Sequence, residues 1–470
     1  MRRSPTLAET RNRILNEPIL KTILWLGWPI ILGNLVNISY NLADAYWLGK
    51  LGRQAFAAPT VVWPLIFFFY SLGFGYAMAG ISLISQYFGA GNHRMASRSA
   101  GNLLAFMGLV AIIISVFGYT QAPLLLTWMG IPSDVYDFAL QYIRIIFIGV
   151  PFTFVGFAFN IIAGSLGDTR TPTYIGVAAS ILNIVLDPLL IFGWLGLPAM
   201  GVIGAAIATI LSRTFASIVG LYLLFHGFKG IKIHLSDLRV EKWWIHKIIH
   251  IGTPLAIQRS STALGFTVMM SLVSRYGSVA IAAYGVGIRI IDIIQSFTWG
   301  LMRATSIMIG QNIGAEQYDR AKEIADKSIK MISTILLVGA IPLVFFRTQL
   351  IAIFINDPLV IEEGSRLLMI FTWSLPFFGV FFIAGGVANG SGHTKAFATI
   401  SIIRLWLLRI GLSYLLALGL GMGTIGIWIG MTLSNIVAGL LSLAWIMQGK
   451  WLERVIELPT KPPTGIMATD

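Results

Sequence analysis

Long apolar runs follow one another along almost the whole chain, separated by short polar or glycine- and proline-containing breaks. A helix that crosses a bilayer needs about 20 predominantly apolar residues. Runs of that length predict twelve membrane helices, near residues 20–48, 57–88, 99–120, 137–163, 172–195, 200–225, 246–275, 282–310, 328–348, 365–388, 396–419 and 424–448. We therefore expect an all-α, polytopic membrane protein.

The second half of the chain repeats the first at a constant offset of 225 residues. Pro29 corresponds to Pro254, and the segment 86–90 corresponds to 311–315. A duplicated half in an apolar chain is typical of a two-lobed transporter whose site lies where the lobes meet. We predict two lobes of six helices each. The expected segments are a leader (1–18), an N-lobe (19–227), a linker (228–245), a C-lobe (246–449) and a tail (450–470).

Composition excludes a soluble globule, because 56% of the residues are hydrophobic and only 11% are charged, against roughly a quarter charged in soluble domains. The net charge of +13 is concentrated in the leader and the even-numbered connections, whereas 121–136, 196–200 and 420–423 contain no Lys or Arg. Basic residues mark the cytoplasmic side of a membrane protein. We expect a multi-pass protein of the plasma membrane with both termini cytoplasmic, and no nucleic-acid partner.

The chain contains no cysteine, no Walker sequence and no hydrolytic arrangement of side chains. We expect no enzymatic activity and no cofactor, with H⁺ or Na⁺ as a coupling ion. The expected partners are membrane lipid and small amphiphilic substrates, bound by a monomer.

Polar side chains form a stripe on the first predicted helix. Asn34, Asn37, Asn41 and Asp44 recur at spacings of three and four, which places them on one face, with Tyr40 at its edge. A carboxylate at membrane depth costs at least ~3 kcal/mol on insertion scales. The stripe therefore indicates a functional site, and a polar seam between helices is the alternative.

The fifth predicted helix carries a second polar face, made of Ser180, Asn183 and Asp187, with Pro188 immediately after the acid. An ordinary acid at a helix end is the alternative interpretation. Two acids in one lobe can share a proton or bind one sodium ion, since carboxylate, amide and hydroxyl oxygens suit an alkali cation. The sequence does not choose between the two ions.

Five arginines fall inside the apolar runs of the C-lobe, at positions 259, 289, 303, 404 and 409. Arg289 lies three residues before Asp292, a spacing that predicts an ion pair. The others either extend to the membrane surface or form a cationic wall of the substrate cavity. The predicted cavity residues are Asn37, Asn41, Asn160, Asn183, Arg259, Arg404 and Arg409.

Pro29 lies inside the first predicted helix, and its repeat mate Pro254 lies inside the seventh. An interior proline removes a hydrogen bond and kinks a helix. Each kink is either static or a hinge.

Four segments resemble the multidrug and toxic compound extrusion (MATE) family, namely Leu42–Gly49, Gln86–Gly91, Ala163–Thr169 and Leu182–Pro188. The resemblance runs nearly end to end and is closest to the prokaryotic branch related to DinF, whose acidic site is in the N-terminal lobe. It implies a conserved network at Tyr40, Asp44, Tyr142, Asn160, Asn183 and Asp187, with a threonine of the sixth helix best matched by Thr209. A coupling sodium ion would be held by Asp44, Asn183, Asp187 and Thr209.

NorM-type members of the family carry further acids in the seventh and tenth helices. The predicted spans here carry none, so we expect no cation site in the C-lobe. This difference favours H⁺ over Na⁺ as the coupling ion.

We therefore expect a secondary active antiporter that exports amphiphilic compounds by alternating access. Its N-lobe would receive cationic or neutral aromatic compounds, and the arginines would receive anionic groups. A lipid or polyprenyl flippase of the same superfamily is the alternative, although such proteins usually carry extra spans. A ligand-sensing receptor or a channel fits less well, because the architecture is internally paired and no soluble signalling domain is evident.

Overall fold

The computed structural model describes residues 7–457, apart from the side chains of residues 7, 8, 42, 53 and 292–296. Three predictions fall partly outside these residues. They concern the first six residues of the leader, residues 458–470 of the tail and the Asp292 side chain of the predicted ion pair. Arg289, the other member of that pair, is exposed.

The described part of the chain is helical from end to end. Its helices are α1 (Leu7–Asn16), α2 (Ile19–Leu51), α3 (Arg53–Gly89), α4 (His93–Trp128), α5 (Ser133–Ile148), α6 (Val150–Ser165), α7 (Arg170–Phe192), α8 (Val202–His226), α9 (Lys242–Ser274), α10 (Gly277–Gly314), α11 (Tyr318–Phe345), α12 (Arg347–Ala352), α13 (Pro358–Phe371), α14 (Leu375–Ser391), α15 (Thr394–Gly419) and α16 (Gly423–Met447).

These helices confirm the predicted all-α fold with twelve spans in two lobes. Nine spans between residues 7 and 457 are individually long and apolar enough to cross a membrane. The helices α5 and α6, bent by 48° at their junction, together form one more span. The remaining two are α9 and α10, which are 33 and 38 residues long. They repeat α2 and α3 at the offset of 225 residues.

The tenth span in chain order, made of α13 and α14, begins earlier than the sequence predicted, and this corrects one expectation. The span begins at Pro358, because the Asp357 side chain accepts hydrogen bonds from the backbone nitrogens of Leu359 (2.9 Å) and Val360 (3.3 Å) and so caps the helix. The added turns contain Glu363, whose carboxylate accepts a hydrogen bond from Trp428 Nε1 (2.8 Å) and pairs with Arg366 (3.0 Å). The tenth span therefore does carry acids, because Glu363 is held by two partners and the adjacent Glu362 also pairs with Arg366 (2.9 Å).

The two lobes are related in their contacts as well as in their sequence. In the N-lobe, Thr169 Oγ1 donates to the carbonyl of Leu26 (2.8 Å), and in the C-lobe its mate Thr394 donates to the carbonyl of Ile251 (2.5 Å). Across the interface α3 packs on α9, and α2 packs on α10. The duplicated sequence therefore produces duplicated tertiary structure.

The end of the bundle that carries both termini, here the terminal end, is closed by backbone contact between the lobes. Gln86 Nε2 donates to the carbonyls of Gly390 (3.1 Å) and Ser391 (3.0 Å), and Gln311 Nε2 donates to the carbonyl of Ser165 (2.8 Å). We call these interactions, with the adjoining Gly89 and Gly314, the terminal contact.

Gly89 and Gly314 are repeat mates at the closest approach of α3 and α10. A Cβ atom on Gly89 would lie 2.0 Å from the carbonyl oxygen of Gln311, and one on Gly314 would lie 1.9 Å from that of Gln86. Both separations are far below van der Waals contact. Only glycine allows the two helix ends to meet at this distance.

The leader and the tail pack over the terminal contact. The leader forms α1, in which Ile14 is fully buried, and Arg11 Nη2 donates to the carbonyl of Gly89 (2.6 Å). Arg320 of the C-lobe donates to the carbonyl of Glu17 (2.5 Å), which ties α1 to that lobe too. In the tail, the backbone nitrogen of Val455 donates to Gln86 Oε1 (3.1 Å).

Candidate functional site

Three adjoining cavities lead from the interface between the lobes into the N-lobe. Their volumes are about 560, 460 and 180 Å³. Asn37 of α2 lines all three, and Arg303 of α10 lines the first two. We call the first two the inter-lobe cavity and the third the N-lobe pocket. Because the three share lining residues, a ligand at the interface lies next to the interior of the N-lobe.

The N-lobe pocket is built by three helices that each present one polar face. From α2 come Asn37 and Tyr40, from α7 Ser180 and Asn183, and from α8 Thr209 and Arg213. The hydroxyls of Tyr40 and Thr209 share a hydrogen bond of 3.4 Å. The spacing of three and four residues that the sequence shows therefore does bring these side chains together.

The two predicted acids lie beside this pocket. With its amide nitrogen turned towards Asp187, Asn183 donates to Asp187 Oδ2 (3.1 Å) and accepts from the backbone nitrogen of Thr209 (3.1 Å). Asp187 is fully buried and lies within reach of the charge of Asp44, which is half-buried. Tyr142 is buried within reach of the charge of Asp44.

Each of these acids has one unsatisfied oxygen. Asp44 Oδ1 and Asp187 Oδ1 are buried and have no hydrogen-bond partner among the described residues. A buried acceptor without a partner costs about 1–3 kcal/mol. No group of three or more His, Cys, Asp or Glu side chains that could hold a metal ion occurs in residues 7–457 outside the undescribed side chains. The binding of a coupling cation by Asp44, Asn183, Asp187 and Thr209 stays a prediction.

Arg213 is a charged residue of this pocket that the sequence analysis missed. Its Nη1 donates to the hydroxyls of Tyr70 (2.9 Å) and Thr153 (3.3 Å), and its charge acts on Asp44. The sequence did contain a signal, because Arg213 is a cation inside the apolar sixth span, four residues after Thr209 and thus on the same face. The pocket is therefore lined by a fixed positive charge, and the two acids lie beside it.

Asn160 lies in the inter-lobe cavity instead of among the lining residues of the N-lobe pocket. Its backbone carbonyl and its Oδ1 both accept hydrogen bonds from Arg303 Nη2, each at 2.9 Å. This contact joins α6 of the N-lobe to α10 of the C-lobe. Asn160 therefore lines the inter-lobe cavity, as does Arg303, which was not among the predicted cavity residues. The binding of substrate by either residue stays a prediction.

Arg259 also lines the inter-lobe cavity. Its guanidinium lies between two rings, 4.3 Å from the centroid of Phe74 in the N-lobe and 4.8 Å from that of Trp299 in the C-lobe. Such stacking fixes the plane of the cation and leaves its edge free to donate hydrogen bonds. The first cavity thus combines two cations with aromatic walls.

Arg404 and Arg409 are placed elsewhere, which differs from the predicted cationic wall. Both are buried inside the C-lobe, and both donate to Asn435 Oδ1, at 3.1 and 2.8 Å. Neither is among the residues that line the three cavities. They face α16 because that helix supplies the polar partner that a buried guanidinium requires.

The remaining predicted residues are placed as follows. Asn41 is exposed, donates to Asn37 Oδ1 (3.3 Å) and does not line these cavities. The helix α2 is continuous through Pro29, and α9 through Pro254. The carbonyl of Pro29 accepts a hydrogen bond from Thr173 Oγ1 (3.0 Å). Movement at either proline stays a prediction.

Comparison with known proteins supplies independent information. The sequence model of the family described as MatE matches residues 29–189 and 254–415, so the two matches begin at the paired residues Pro29 and Pro254. The chain is 29% identical over 436 residues to the "Probable multidrug resistance protein YoeA" of Bacillus subtilis, covering 91% of this chain and 94% of that protein. It is 28% identical over 433 residues to the "FAD transporter" of Shewanella oneidensis, covering 92% and 95%.

Among solved structures, one that matches with a TM-score of 0.87 is described as "Reverse polarity of binding pocket suggests different function of a MOP superfamily transporter from Pyrococcus furiosus". It is 23% identical, and the match covers 96% of this chain and 99% of that one. At this identity the likeness concerns the fold.

Proposed function

This chain belongs to the MatE family of multidrug and toxic compound extrusion transporters, and from that premise we propose that it is a secondary antiporter, which exports amphiphilic compounds in exchange for H⁺ or Na⁺. It is a multi-pass membrane protein and a transporter, not an enzyme. The observation that carries the proposal is the continuity between the inter-lobe cavity and the N-lobe pocket. A compound in the first and an ion beside Asp44 and Asp187 would occupy neighbouring sites.

Coupling requires that the ion and the substrate favour different states of the two lobes. Protonation or cation binding would satisfy the free oxygens of Asp44 and Asp187 and remove their mutual repulsion. The stripe that holds Asp44 is on α2, which packs against α10 of the other lobe. A change of charge at Asp44 can thus alter the interface, with Pro29 as the point where α2 would bend.

We assign the terminal end to the cytoplasm, because basic residues cluster in the leader, the linker and the other connections at that end. With the terminal contact closed, the structure then corresponds to a state that is shut towards the cytoplasm. Export would require the terminal contact to open for loading and to close for release. We propose that one chain performs this cycle as a monomer.

We favour H⁺ as the coupling ion because of Arg213. With Asp44 and Asp187 ionised, the three charged groups sum to −1, since two negative charges are opposed by one positive. One proton then neutralises the pocket. A sodium ion would have to give up its hydration in a site whose net negative charge is already reduced by a guanidinium.

The coupling ion can be identified by flux measurements in proteoliposomes. We expect substrate export to follow an imposed pH gradient at equal Na⁺ on both sides, and to be unaffected by a Na⁺ gradient at clamped pH. The inward movement of one unit charge across 100 mV contributes about 2.3 kcal/mol. This free energy is enough for either ion to drive measurable transport of substrate. Export that follows Na⁺ and ignores pH would reverse this assignment while leaving antiport intact.

The inter-lobe cavity indicates which compounds would be carried. Arg259 and Arg303 are suited to carboxylates and phosphates, and Phe74 and Trp299 are suited to planar rings. Anionic or zwitterionic aromatic amphiphiles fit this chemistry best, while cationic or neutral aromatic compounds fit the region nearer to the acids. The name of the Shewanella relative, a FAD transporter, supports the first class.

Exchanging Arg259 or Arg303 for Gln should slow export of an anionic dye, carboxyfluorescein, by about tenfold, because one charge-assisted hydrogen bond is lost. Export of the cationic dye ethidium should be unchanged or faster. Arg259→Lys, which keeps the charge but not the planar stacking, should give an intermediate rate.

Arg289→Gln is a matched control for this prediction, because Arg289 is an exposed arginine on the same helix as Arg303. It should affect neither dye. If the Arg259 and Arg303 variants lost export of both dyes equally, these arginines would have a structural role only.

A further inference from the structure

A separate cavity of about 860 Å³ lies at the terminal end of the C-lobe, and we call it the basic pocket. Its walls are the first turns of α9, the first turns of α15, and the end of α16 with the turn that follows. It shares no lining residue with the inter-lobe cavity or the N-lobe pocket. The transport route described above therefore does not use it.

The basic pocket collects lysine and histidine side chains from three chain segments. His246 and His250 are one turn apart on α9, Lys395 is in the first turn of α15, and Lys450 follows α16. Lys395 and Lys450 are exposed and form no ion pair with any described residue. Two unpaired lysines that converge on one cavity from different chain segments favour an anionic ligand.

A third lysine and a third histidine of the pocket are engaged differently. Lys247 donates to the carbonyl of Val455 (2.8 Å) and pairs with Glu457 (2.9 Å), so its charge is compensated. Burial lowers the pKa of His393 below its usual value, against an opposing effect of Glu453. The His393 ring is therefore neutral near pH 7, and its buried Nδ1 has no partner among the described residues. This nitrogen is a further polar atom available to a ligand.

The deeper walls of the basic pocket are apolar. Ile251 and Ile400 line it from α9 and α15, and Trp445 lines it from α16. Trp451 is buried, and its Nε1 donates to the carbonyl of Ile446 (2.9 Å), which fixes the turn that carries Lys450. A ligand that fits must combine an anionic group with an apolar part, and it must reach the ends of membrane helices, where lipid headgroups lie.

We propose that the basic pocket binds one anionic phospholipid, with its phosphate between Lys395 and Lys450 and its glycerol and upper acyl carbons against Ile251, Ile400 and Trp445. The site is independent of the antiport mechanism. Its ligand comes from the surrounding membrane and stays bound instead of being transported. Because the pocket joins the beginning of the C-lobe to the tail, a bound lipid would strengthen the contact of the tail with α9.

The test uses the full-length protein incubated with vesicles of equal phosphatidylglycerol and phosphatidylcholine, followed by native mass spectrometry of the lipid retained. We expect the wild-type protein to retain phosphatidylglycerol in preference to phosphatidylcholine. The double variant Lys395→Gln/Lys450→Gln should retain about tenfold less of it, since each lysine near a headgroup contributes to binding. Both side chains are exposed, so the variant is expected to fold.

The matched control is Lys322→Gln/Lys330→Gln, which removes the same charge from α11. It should retain phosphatidylglycerol like the wild type. Equal retention by the two double variants would overturn the proposal. Inorganic phosphate, added in a separate arm, should leave the lipid bound, and displacement of the lipid by phosphate would assign the pocket to a free anion and overturn it too.

Discussion

Exchange of Asp44 or Asp187 for Asn should abolish ion-driven export, by roughly 100-fold or more, in a protein that still folds and enters the membrane. Asparagine keeps the size of the side chain and its capacity for hydrogen bonds, and it removes the group that can bind a proton or a cation. Since a neutral amide at membrane depth costs less than a carboxylate, the variants should be at least as stable as the wild type. Export from proteoliposomes under an imposed gradient measures the loss.

Two comparisons make this expectation specific. Asp319→Asn changes a fully exposed acid at the start of α11 and should export normally. Binding of substrate to Asp44→Asn, measured without a gradient, should persist, because the inter-lobe cavity is intact. Full export by both single variants at the N-lobe pocket would remove these acids from the mechanism.

Gly314→Ala should reduce export about tenfold by forcing the terminal contact apart. The new Cβ would lie 1.9 Å from the carbonyl oxygen of Gln86, a clash that only a shift of α3 or α10 relieves. Overpacking of this kind costs about 1–3 kcal/mol, and 1.4 kcal/mol is tenfold in an equilibrium. The closed state would lose that free energy, and the open state would not. Gly89→Ala should act in the same way.

The chain has no cysteine, so a single Ser85→Cys exchange provides a reporter for this opening. Ser85 is fully buried beside Gly310 at the terminal end. Its labelling by a thiol reagent should become faster in the Gly314→Ala background. Gly339→Ala on α11 is the control, because it adds the same methyl group and the same helix propensity where nothing lies within 4 Å. Unchanged labelling in Gly314→Ala would contradict the role of the terminal contact.

The fold could be predicted because its signals are local or repeated. Each span is a run of apolar residues, and the constant offset of 225 residues pairs the halves without a structure. The spacing of Asn37, Asp44, Asn183 and Asp187 also depends on one helix at a time. The grouping of these residues in and beside one N-lobe pocket was expected from the family resemblance.

The placement of the arginines could not be predicted, because it depends on contacts between helices. Arg303 and Arg409 look alike in the sequence, since each is a cation inside an apolar run. Arg303 meets Asn160 from the other lobe, whereas Arg409 meets Asn435 of its own lobe. The packing of the helices decides which asparagine side chain each arginine meets. Glu363 was excluded from the tenth span for a different reason, since its neighbouring charges hid a helix start that Asp357 caps.

The bonds that close the terminal contact have a consequence for the response to salt. Gln86 and Gln311 bind backbone carbonyls, so these bonds join neutral groups and are not screened by dissolved ions. Interactions between exposed charges weaken over a Debye length of about 8 Å at physiological ionic strength. Raising the salt concentration should therefore weaken the long-range attraction of an anionic compound from solution towards the arginines of the inter-lobe cavity. It should leave the equilibrium between closed and open terminal ends almost unchanged. Substrate affinity and conformational switching would thus respond separately to the ionic strength of the medium.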